Sequence, residues 1–91
     1  MQDHRECWVC GTTQNLECHH AFGNANRPLS NKYGLKAYFC HNHHNENIPG
    51  DPGLHYNEQL NKRFKREAQR RFEEVYTRDE FKEIFKVGSY L

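Results

Sequence analysis

The stretch CWVCG at residues 7–11 decides how this chain can fold, because the stretch CHNHH at residues 40–44 repeats its spacing. Two thiolates separated by two residues can reach one tetrahedral metal ion, and Gly11 permits a tight turn after them. Cys40 and His43 offer a second pair at the same spacing. We therefore predict a structural zinc site. Its predicted ligands are Cys7, Cys10, Cys40 and His43.

Two positions of this ligand set stay open at the level of sequence. Cys18 could replace one of the cysteines, and His44 could replace His43. Two disulfides are the other use of four cysteines, but the opening residues MQDHRECWVC contain no apolar secretory leader. No stretch approaches the length of a membrane span. We therefore expect no membrane association and a reducing, cytoplasmic location, where clustered cysteines more often bind metal.

The composition indicates a small chain that needs a metal to fold. Of its 91 residues, 35% are hydrophobic and 13% aromatic, so a few large side chains supply most of the core. We predict a single domain over residues 1–91, with a zinc-bound half at 1–55 and a helical extension at 56–91. The net charge of +1 does not by itself indicate nucleic-acid binding.

Apolar periodicity predicts two helices in the extension. The first is long and amphipathic, with an end expected near Tyr76. A capping box from Thr77 to Glu80 predicts a second, short helix that Gly88 terminates. The apolar residues at helical spacing are Leu60, Phe64, Ala68, Phe72, Val75 and Tyr76 in the first helix, and Phe81, Ile84 and Phe85 in the second.

Weak alternation predicts a pair of strands in the zinc-bound half. Residues 35–39 form the expected strand that runs into Cys40, and Gly34 suits a hairpin turn before it. Leu16 and Glu17 are expected on the partner strand. Residues 21–34 are read as a loop.

Histidines exceed what one closed zinc site can use. His43 serves that site, and His4 and His41 are expected to be peripheral. The stretch ECHH at residues 17–20 lies between the two cysteine-containing pairs and resembles the active-site motif of HNH or His-Me finger nucleases. HHAFGNANRPLS and KYGLKAYFC, which follow, are similar to small phage HNH proteins. They also resemble the phage recombination enhancement (RecA-dependent) nuclease domain.

This resemblance implies a small zinc-stapled α+β domain with a ββα-metal core, followed by the long helix and the short C-terminal helix. It implies that His20 is a general base and that Glu17 orients a neighbour. It further implies a catalytic divalent metal held by His19 and His44. His55 is either a third ligand or a solvent-facing residue at a helix start.

The identity of the catalytic metal stays open among Mn²⁺, Ni²⁺, Mg²⁺ and Zn²⁺, because imidazole suits transition metals better than Mg²⁺. Relatives also carry an asparagine that fixes the catalytic loop, and Asn31 or Asn42 could supply it here. Neighbours on a strand face opposite sides, so we expect the pair His19 and His20 where the strand bends into the loop.

Basic side chains are candidates for phosphate contacts, although a solvated helix face has the same composition. Residues 61–72 contain six Lys or Arg and one Glu, and residues 21–34 contain two cations. The candidate nucleic-acid-binding residues are Arg27, Lys32, Lys62, Arg66 and Arg70.

These features predict a phage- or prophage-encoded HNH endonuclease, a hydrolase that cuts phosphodiester bonds in DNA with weak sequence specificity in the cytoplasm of a bacterial host. The resemblance implies 5′-phosphate products. One alternative is a catalytically inactive, zinc-stapled module that binds nucleic acid or protein, as a phage accessory or counter-defence factor. Another is an enzyme that needs a recombination or other protein partner before it cuts. A nuclease should bind a second metal, and a scaffold only the structural zinc.

Overall fold

A computed structural model describes residues 1–91 as an α+β chain with two small antiparallel hairpins and four α-helices. Short 3₁₀ turns lie at Asn24–Asn26 and Leu54–Tyr56. No helix combines the length and the apolar character that crossing a membrane requires. In chain order, the elements are β1 (Leu16–His20), α1 (Arg27–Lys32), β2 (Lys36–Cys40), α2 (His41–His44), β3 (Asn47–Ile48), β4 (Asp51–Pro52), α3 (Glu58–Glu73) and α4 (Arg78–Phe85).

The main hairpin pairs β1 with β2 in regular antiparallel register, from Leu16 opposite Cys40 to His20 opposite Lys36. The two predicted strands are therefore present. The adjacent histidines are the last two residues of β1 and a bend follows at residues 21–22, so the pair lies at the end of the strand, as expected. Both remain in the strand ladder, which continues through a hydrogen bond from Ala21 N to the Leu35 carbonyl (2.9 Å). The two imidazoles consequently leave opposite faces of the hairpin.

The segment between the two strands was expected to be a loop with a hairpin turn at Gly34, and both expectations are wrong. Residues 27–32 form α1, which has Pro28 in its first turn, where its missing N–H costs nothing. Gly34 has φ +70° and its N–H donates to the Asn31 carbonyl, so it ends α1 instead. Ser30 Oγ, fully buried, donates to the Phe22 carbonyl (2.7 Å) and anchors the helix to the core.

The long helix α3 confirms most of the predicted apolar stripe, since Leu60, Phe64, Ala68 and Phe72 are all buried. The Asn57 side chain caps the helix by accepting a hydrogen bond from the Leu60 N–H (3.1 Å). The helix ends at Glu73, three residues before the expected end at Tyr76. Val75 therefore falls beyond the helical register and is 78% exposed, so its predicted place in the stripe is wrong.

The short helix α4 begins at the predicted capping box. Thr77 Oγ1 accepts from the Glu80 N–H (3.1 Å), and the Glu80 carboxylate accepts from the Thr77 N–H (3.0 Å). Phe81 and Phe85 are buried, as predicted. The predicted terminator is wrong: Lys86, with φ 55°, takes the left-handed position after the helix, and Gly88 does not.

The core is a cluster of twelve buried hydrophobic residues drawn from β2, the helices and the segments that connect them. Phe39 of β2 packs edge-on against Phe64 of α3, with ring centroids 5.1 Å apart. The Trp8 ring lies against both of them. The His19 ring packs on the same two phenylalanines, with ring centroids 5.9 and 5.8 Å apart, so this histidine lies directly against the hydrophobic core.

Candidate metal centres

The first candidate centre, here called the cysteine cluster, joins the loop before β1 to the start of α2. The ligand atoms lie within 4.8 Å of one another, and Cys10 Sγ is 3.8 Å from Cys40 Sγ. Sulfur atoms bound to a tetrahedral zinc at 2.3 Å lie about 3.8 Å apart. The donor set is thus compatible with a structural metal such as zinc. Its members are Cys7, Cys10, Cys40 and His43.

The backbone around the cysteine cluster favours thiolates. The Val9 and Cys10 N–H groups donate to Cys7 Sγ at 3.4 and 3.5 Å. Burial raises the pKa of Cys7, but backbone N–H groups, those of Cys40 and Cys10 first, outweigh it and lower that pKa to about 6. Burial raises the pKa of Cys40 to about 11, and the neighbouring thiols add to the rise. One thiolate is therefore stabilised by the chain itself, and a second needs a cation beside it.

His43 belongs to this cluster through one ring nitrogen only. Its Nδ1 lies 3.1 Å from Cys40 Sγ and 3.8 Å from Cys7 Sγ. Its Nε2 lies 2.9 Å from a carboxylate oxygen of Asp51, which holds the proton on that side and leaves Nδ1 for a metal. The two alternatives left open by the sequence lie elsewhere, because Cys18 is exposed on β1 and His44 points away.

The second candidate centre, here called the histidine cluster, consists of His19, His44 and His55. They come from β1, from the last position of α2 and from the 3₁₀ turn that precedes α3. His44 Nε2 lies 3.2 Å from His19 Nδ1 and 3.1 Å from His55 Nε2. Nitrogens on one metal at 2.1 Å lie about 3.0 Å apart at octahedral angles and about 3.4 Å apart at tetrahedral angles. The spacing therefore fits a divalent first-row metal such as zinc, nickel or manganese.

The environment of the histidine cluster favours the neutral, metal-binding form of two of its imidazoles, those of His19 and His55. Burial, followed by the rings of His44 and His55, lowers the pKa of His19 to about 4. Burial and the neighbouring His44 also lower the pKa of His55. Glu17 Oε1 accepts a hydrogen bond from His44 Nδ1 (2.8 Å), so it orients a neighbour, the role expected for it. Hydrogen bonds from His41 and His44 lower the pKa of Glu17 to about 2, so it is ionised.

His20 lies outside the histidine cluster, on the hairpin face that carries Lys36. Burial, then the charges of Arg27 and Lys36, lowers the pKa of His20 below its ordinary value. Lys36 Nζ donates to Asn31 Oδ1 (2.6 Å), so Asn31 is on the His20 side of the hairpin. Asn42 instead lines a cavity beside the cysteine cluster. The two asparagines that the sequence left open thus lie apart, Asn31 near His20 and Asn42 near the cysteine cluster.

The structure divides the predicted nucleic-acid-binding cations into two groups. Lys62 and Arg70 form ion pairs with Glu58 (3.1 Å) and Glu67 (3.2 Å) on the same helix. The cations without a carboxylate partner keep their full charge available to a ligand. In this second group are Arg27, Lys32 and Arg66, and also Lys36 and Arg63, which the sequence did not single out.

Arg63 and Arg66 of α3 are held without acidic partners. The Arg63 guanidinium stacks on the Trp8 ring at 5.5 Å, and Arg66 Nε donates to the Tyr90 carbonyl (3.2 Å). Both line a groove of about 420 Å³ that begins at Asn57, two residues after His55. Trp8 is the sequence feature that could have drawn attention to Arg63, since an exposed arginine can stack on an aromatic ring. The two residues lie far apart in the sequence.

Comparisons with known proteins leave the two clusters as the basis for assigning a function. No protein-family model, no curated protein and no solved structure matches the chain.

Proposed function

We propose that the chain is a metal-dependent endonuclease of HNH type, built on a ββα-metal core, which hydrolyses phosphodiester bonds in DNA. The observation that carries the proposal is the convergence of three histidine nitrogens from three separate elements. A structural site alone would need only the cysteine cluster. Phage or prophage origin and action in a bacterial cytoplasm belong to the same proposal, and rest on the sequence resemblance.

His20 is the general base in this proposal. Adjacent in sequence to His19 yet outside the histidine cluster, it keeps a free ring nitrogen. Burial and two nearby cations lower its pKa, so it is neutral at physiological pH and can accept a proton from water. The charges of Arg27 and Lys36, which favour an anion nearby, suit a scissile phosphate.

The residues of the histidine cluster hold a divalent metal, which when bound supplies charge stabilisation to a phosphate and its leaving oxygen. His19, His44 and His55 contribute one nitrogen each, and Glu17 orients His44. Three nitrogen ligands leave the remaining coordination positions for water and phosphate oxygens. The donor set favours Mn²⁺, Ni²⁺ or Zn²⁺ over Mg²⁺.

The cations without carboxylate partners are the residues proposed to contact the phosphates of the DNA backbone. Arg27 and Lys36 lie on the His20 side, and Arg63 and Arg66 line the groove that Asn57 and Leu60 also line. Contacts of this kind go to phosphates and carry no base information, so cutting is weakly sequence-specific and falls with rising salt. Lys62 and Arg70 contribute less, because each is neutralised by a glutamate.

The second candidate function is a zinc-stapled binding module without catalysis. The observation that favours it is the position of His20 on the hairpin face opposite His19. A general base on that face can contact a water molecule near the histidine cluster only where β1 ends. Such a module would use the same unpaired cations to bind nucleic acid, and would bind one metal instead of two.

The deciding experiment combines metal counting with cleavage. Zinc-loaded protein is assayed on plasmid and single-stranded DNA with Mn²⁺, Ni²⁺, Mg²⁺ or added Zn²⁺, and wild type is compared with His20→Ala. We expect cleavage by wild type, a second bound metal in both proteins, and a loss of rate of about 100-fold or more in the variant. His4→Ala, which changes an exposed histidine outside both clusters, is the matched control.

Each other outcome changes the assignment. One metal per chain and no cleavage would replace the nuclease with the binding module. Two metals and no cleavage would indicate a requirement for a protein partner, such as a recombinase filament. Equal cleavage by wild type and His20→Ala would remove His20 from the mechanism.

A further inference from the structure

His41, expected to be peripheral, makes two short contacts with carboxylates. Its Nδ1 lies 2.9 Å from Glu17 Oε2, and its Nε2 lies 2.6 Å from Glu46 Oε1. Ionised carboxylates only accept hydrogen bonds, so both ring nitrogens of His41 act as donors. Neither metal cluster includes His41 or Glu46. The three side chains form what is here called the charged bridge: Glu17, His41 and Glu46.

The charged bridge ends on the histidine cluster. The second oxygen of Glu17, Oε1, accepts from His44 Nδ1 (2.8 Å) and from Asn45 Nδ2 (2.7 Å). One carboxylate thus ties together the first residue of α2, its last residue and the residue after it. A helix of four residues has little stability of its own, so these contacts determine how His44 is presented.

The bridge sets both the rotation and the tautomer of the His44 ring. With the proton on Nδ1 donated to Glu17, the lone pair of Nε2 faces His19 Nδ1 and His55 Nε2, at 3.2 and 3.1 Å. A ring with the proton on Nε2 would point an N–H at the other two nitrogens and would not bind a metal between them. The position of Glu17 is therefore as important as the presence of the third nitrogen.

Free Glu17 would not hold this position by itself, because its side chain is about one-third exposed and has several rotamers. His41 fixes one carboxylate oxygen, so the other stays directed at His44. Glu46 in turn fixes His41, which is itself about half exposed. Each member of the bridge restricts the next one, in a line that runs from the surface to the buried ligand.

We propose that His41 and Glu46 are positioning residues that, through Glu17, hold His44 in its metal-binding tautomer and set the affinity of the histidine cluster for a divalent metal. This inference rests on the proposed second metal site. It adds to that site two residues that touch neither the metal nor the substrate.

The test measures second-metal affinity in the full, zinc-loaded chain. Mn²⁺ and Ni²⁺ are titrated calorimetrically into wild type, His41→Ala and Glu46→Ala, and bound zinc is counted in each. We expect an affinity loss of about 10- to 100-fold in both variants, with one zinc retained. His41→Asn places an amide N–H near the position of Nδ1, so it should recover most of the affinity. His4→Ala is the control for loss of an exposed histidine.

A spectroscopic readout reports on the bridge separately from metal binding. Long-range ¹H–¹⁵N NMR of the zinc-loaded chain should show His44 protonated on Nδ1 in wild type, and a mixture of tautomers in His41→Ala. A single unchanged tautomer together with affinities within twofold of wild type would overturn the inference and leave the nuclease proposal standing. Absence of any second metal in wild type would overturn both proposals.

Discussion

Neighbouring residues of α2 serve two different centres, and the contrast between the cysteine cluster and the histidine cluster is instructive. His43 joins three sulfur atoms to complete four donors, which leaves no position open. His44 joins two imidazoles, one of them on the exposed His55, so the proposed second metal would keep coordination positions for ligands from solvent. The role of each centre therefore follows from the number and softness of its donors and not from the helix that both share.

The adjacent residues His43 and His44 form hydrogen bonds with different carboxylates. Asp51 takes Nε2 of His43, which leaves Nδ1 for the sulfur side, and Glu17 takes Nδ1 of His44, which leaves Nε2 for the imidazole side. Opposite tautomers thus allow adjacent residues to serve two sites. The difference teaches that the partner of the non-coordinating nitrogen decides which metal site a histidine joins.

Cys7→Ser tests the cysteine cluster and should have the largest effect. Removing one thiolate should abolish zinc binding and unfold the first half of the chain, because a structural zinc contributes on the order of 10 kcal/mol to folding in small domains. Zinc content and thermal unfolding by circular dichroism are the measurements. Cys18→Ser, at an exposed cysteine outside the cluster, should change neither. Unchanged melting and zinc content in Cys7→Ser would contradict the ligand assignment.

Gly53→Ala tests whether the two clusters depend on the same helix, and ranks second. A Cβ at Gly53 would lie 2.9 Å from the carbonyl oxygen of Asn42 in α2 and 3.0 Å from that of Glu46, just after α2. We expect a destabilisation of about 1–3 kcal/mol by overpacking, and weaker metal binding at both centres. Gly23→Ala meets nothing within 4 Å and is the control. A loss confined to one centre would show that the clusters are independent.

His55→Ala separates the histidine cluster from the cysteine cluster. Removing one of three nitrogens should weaken second-metal binding by more than the roughly 100-fold that loss of an orienting partner costs. Zinc content should stay at one per chain, because His55 lies in the turn before α3 and contributes nothing to the cysteine cluster. Calorimetry and elemental analysis measure both quantities. Retention of tight second-metal binding would make His55 a solvent-facing residue, the alternative that the sequence left open.

Arg27→Ala concerns the surface on the His20 side of the hairpin and should have the smallest effect. DNA binding should weaken a few-fold and uniformly across sequences, with the salt slope reduced by about one, while zinc stays in place. Fluorescence anisotropy on a non-cleavable phosphorothioate duplex measures this. Arg70→Ala should do less, because Arg70 is already paired with Glu67 at 3.2 Å. Equal effects of the two substitutions would remove the distinction between paired and unpaired cations.

Much of the fold was predictable from short-range patterns. The capping box at Thr77 and the buried stripe of α3 depend on residues three or four positions apart, whose interactions are written directly in the sequence. The helix α1, the left-handed Lys86 and the exposed Val75 were not predicted. Each depends on where a tertiary contact ends or begins, as when buried Ser30 anchors α1 to Phe22.

The residue types of the candidate site were predictable from the sequence, but the contacts between those residues were not. Spacing alone identified the pairs of potential ligands, because a tetrahedral metal requires donors that a tight turn can present together. Whether His43 or His44 faces the sulfur atoms, and whether Cys18 takes part, was not predictable. The choice between the two histidines depends on Asp51 and Glu17, carboxylates that lie 8 and 27 residues away in the chain from the histidines they contact.

The sequence by itself determined the residue types available for metal binding, the two helices after residue 56 and the surplus of histidines over one closed site. Only the tertiary structure decided which donors converge, which cations remain unpaired and that His41 is linked to His44 through Glu17. The physical reason is the separation along the chain over which each interaction acts. Capping and helical periodicity act over one turn of chain, whereas ligand geometry, tautomer and ion pairing depend on side chains that meet only after β1, β2 and α2 have packed.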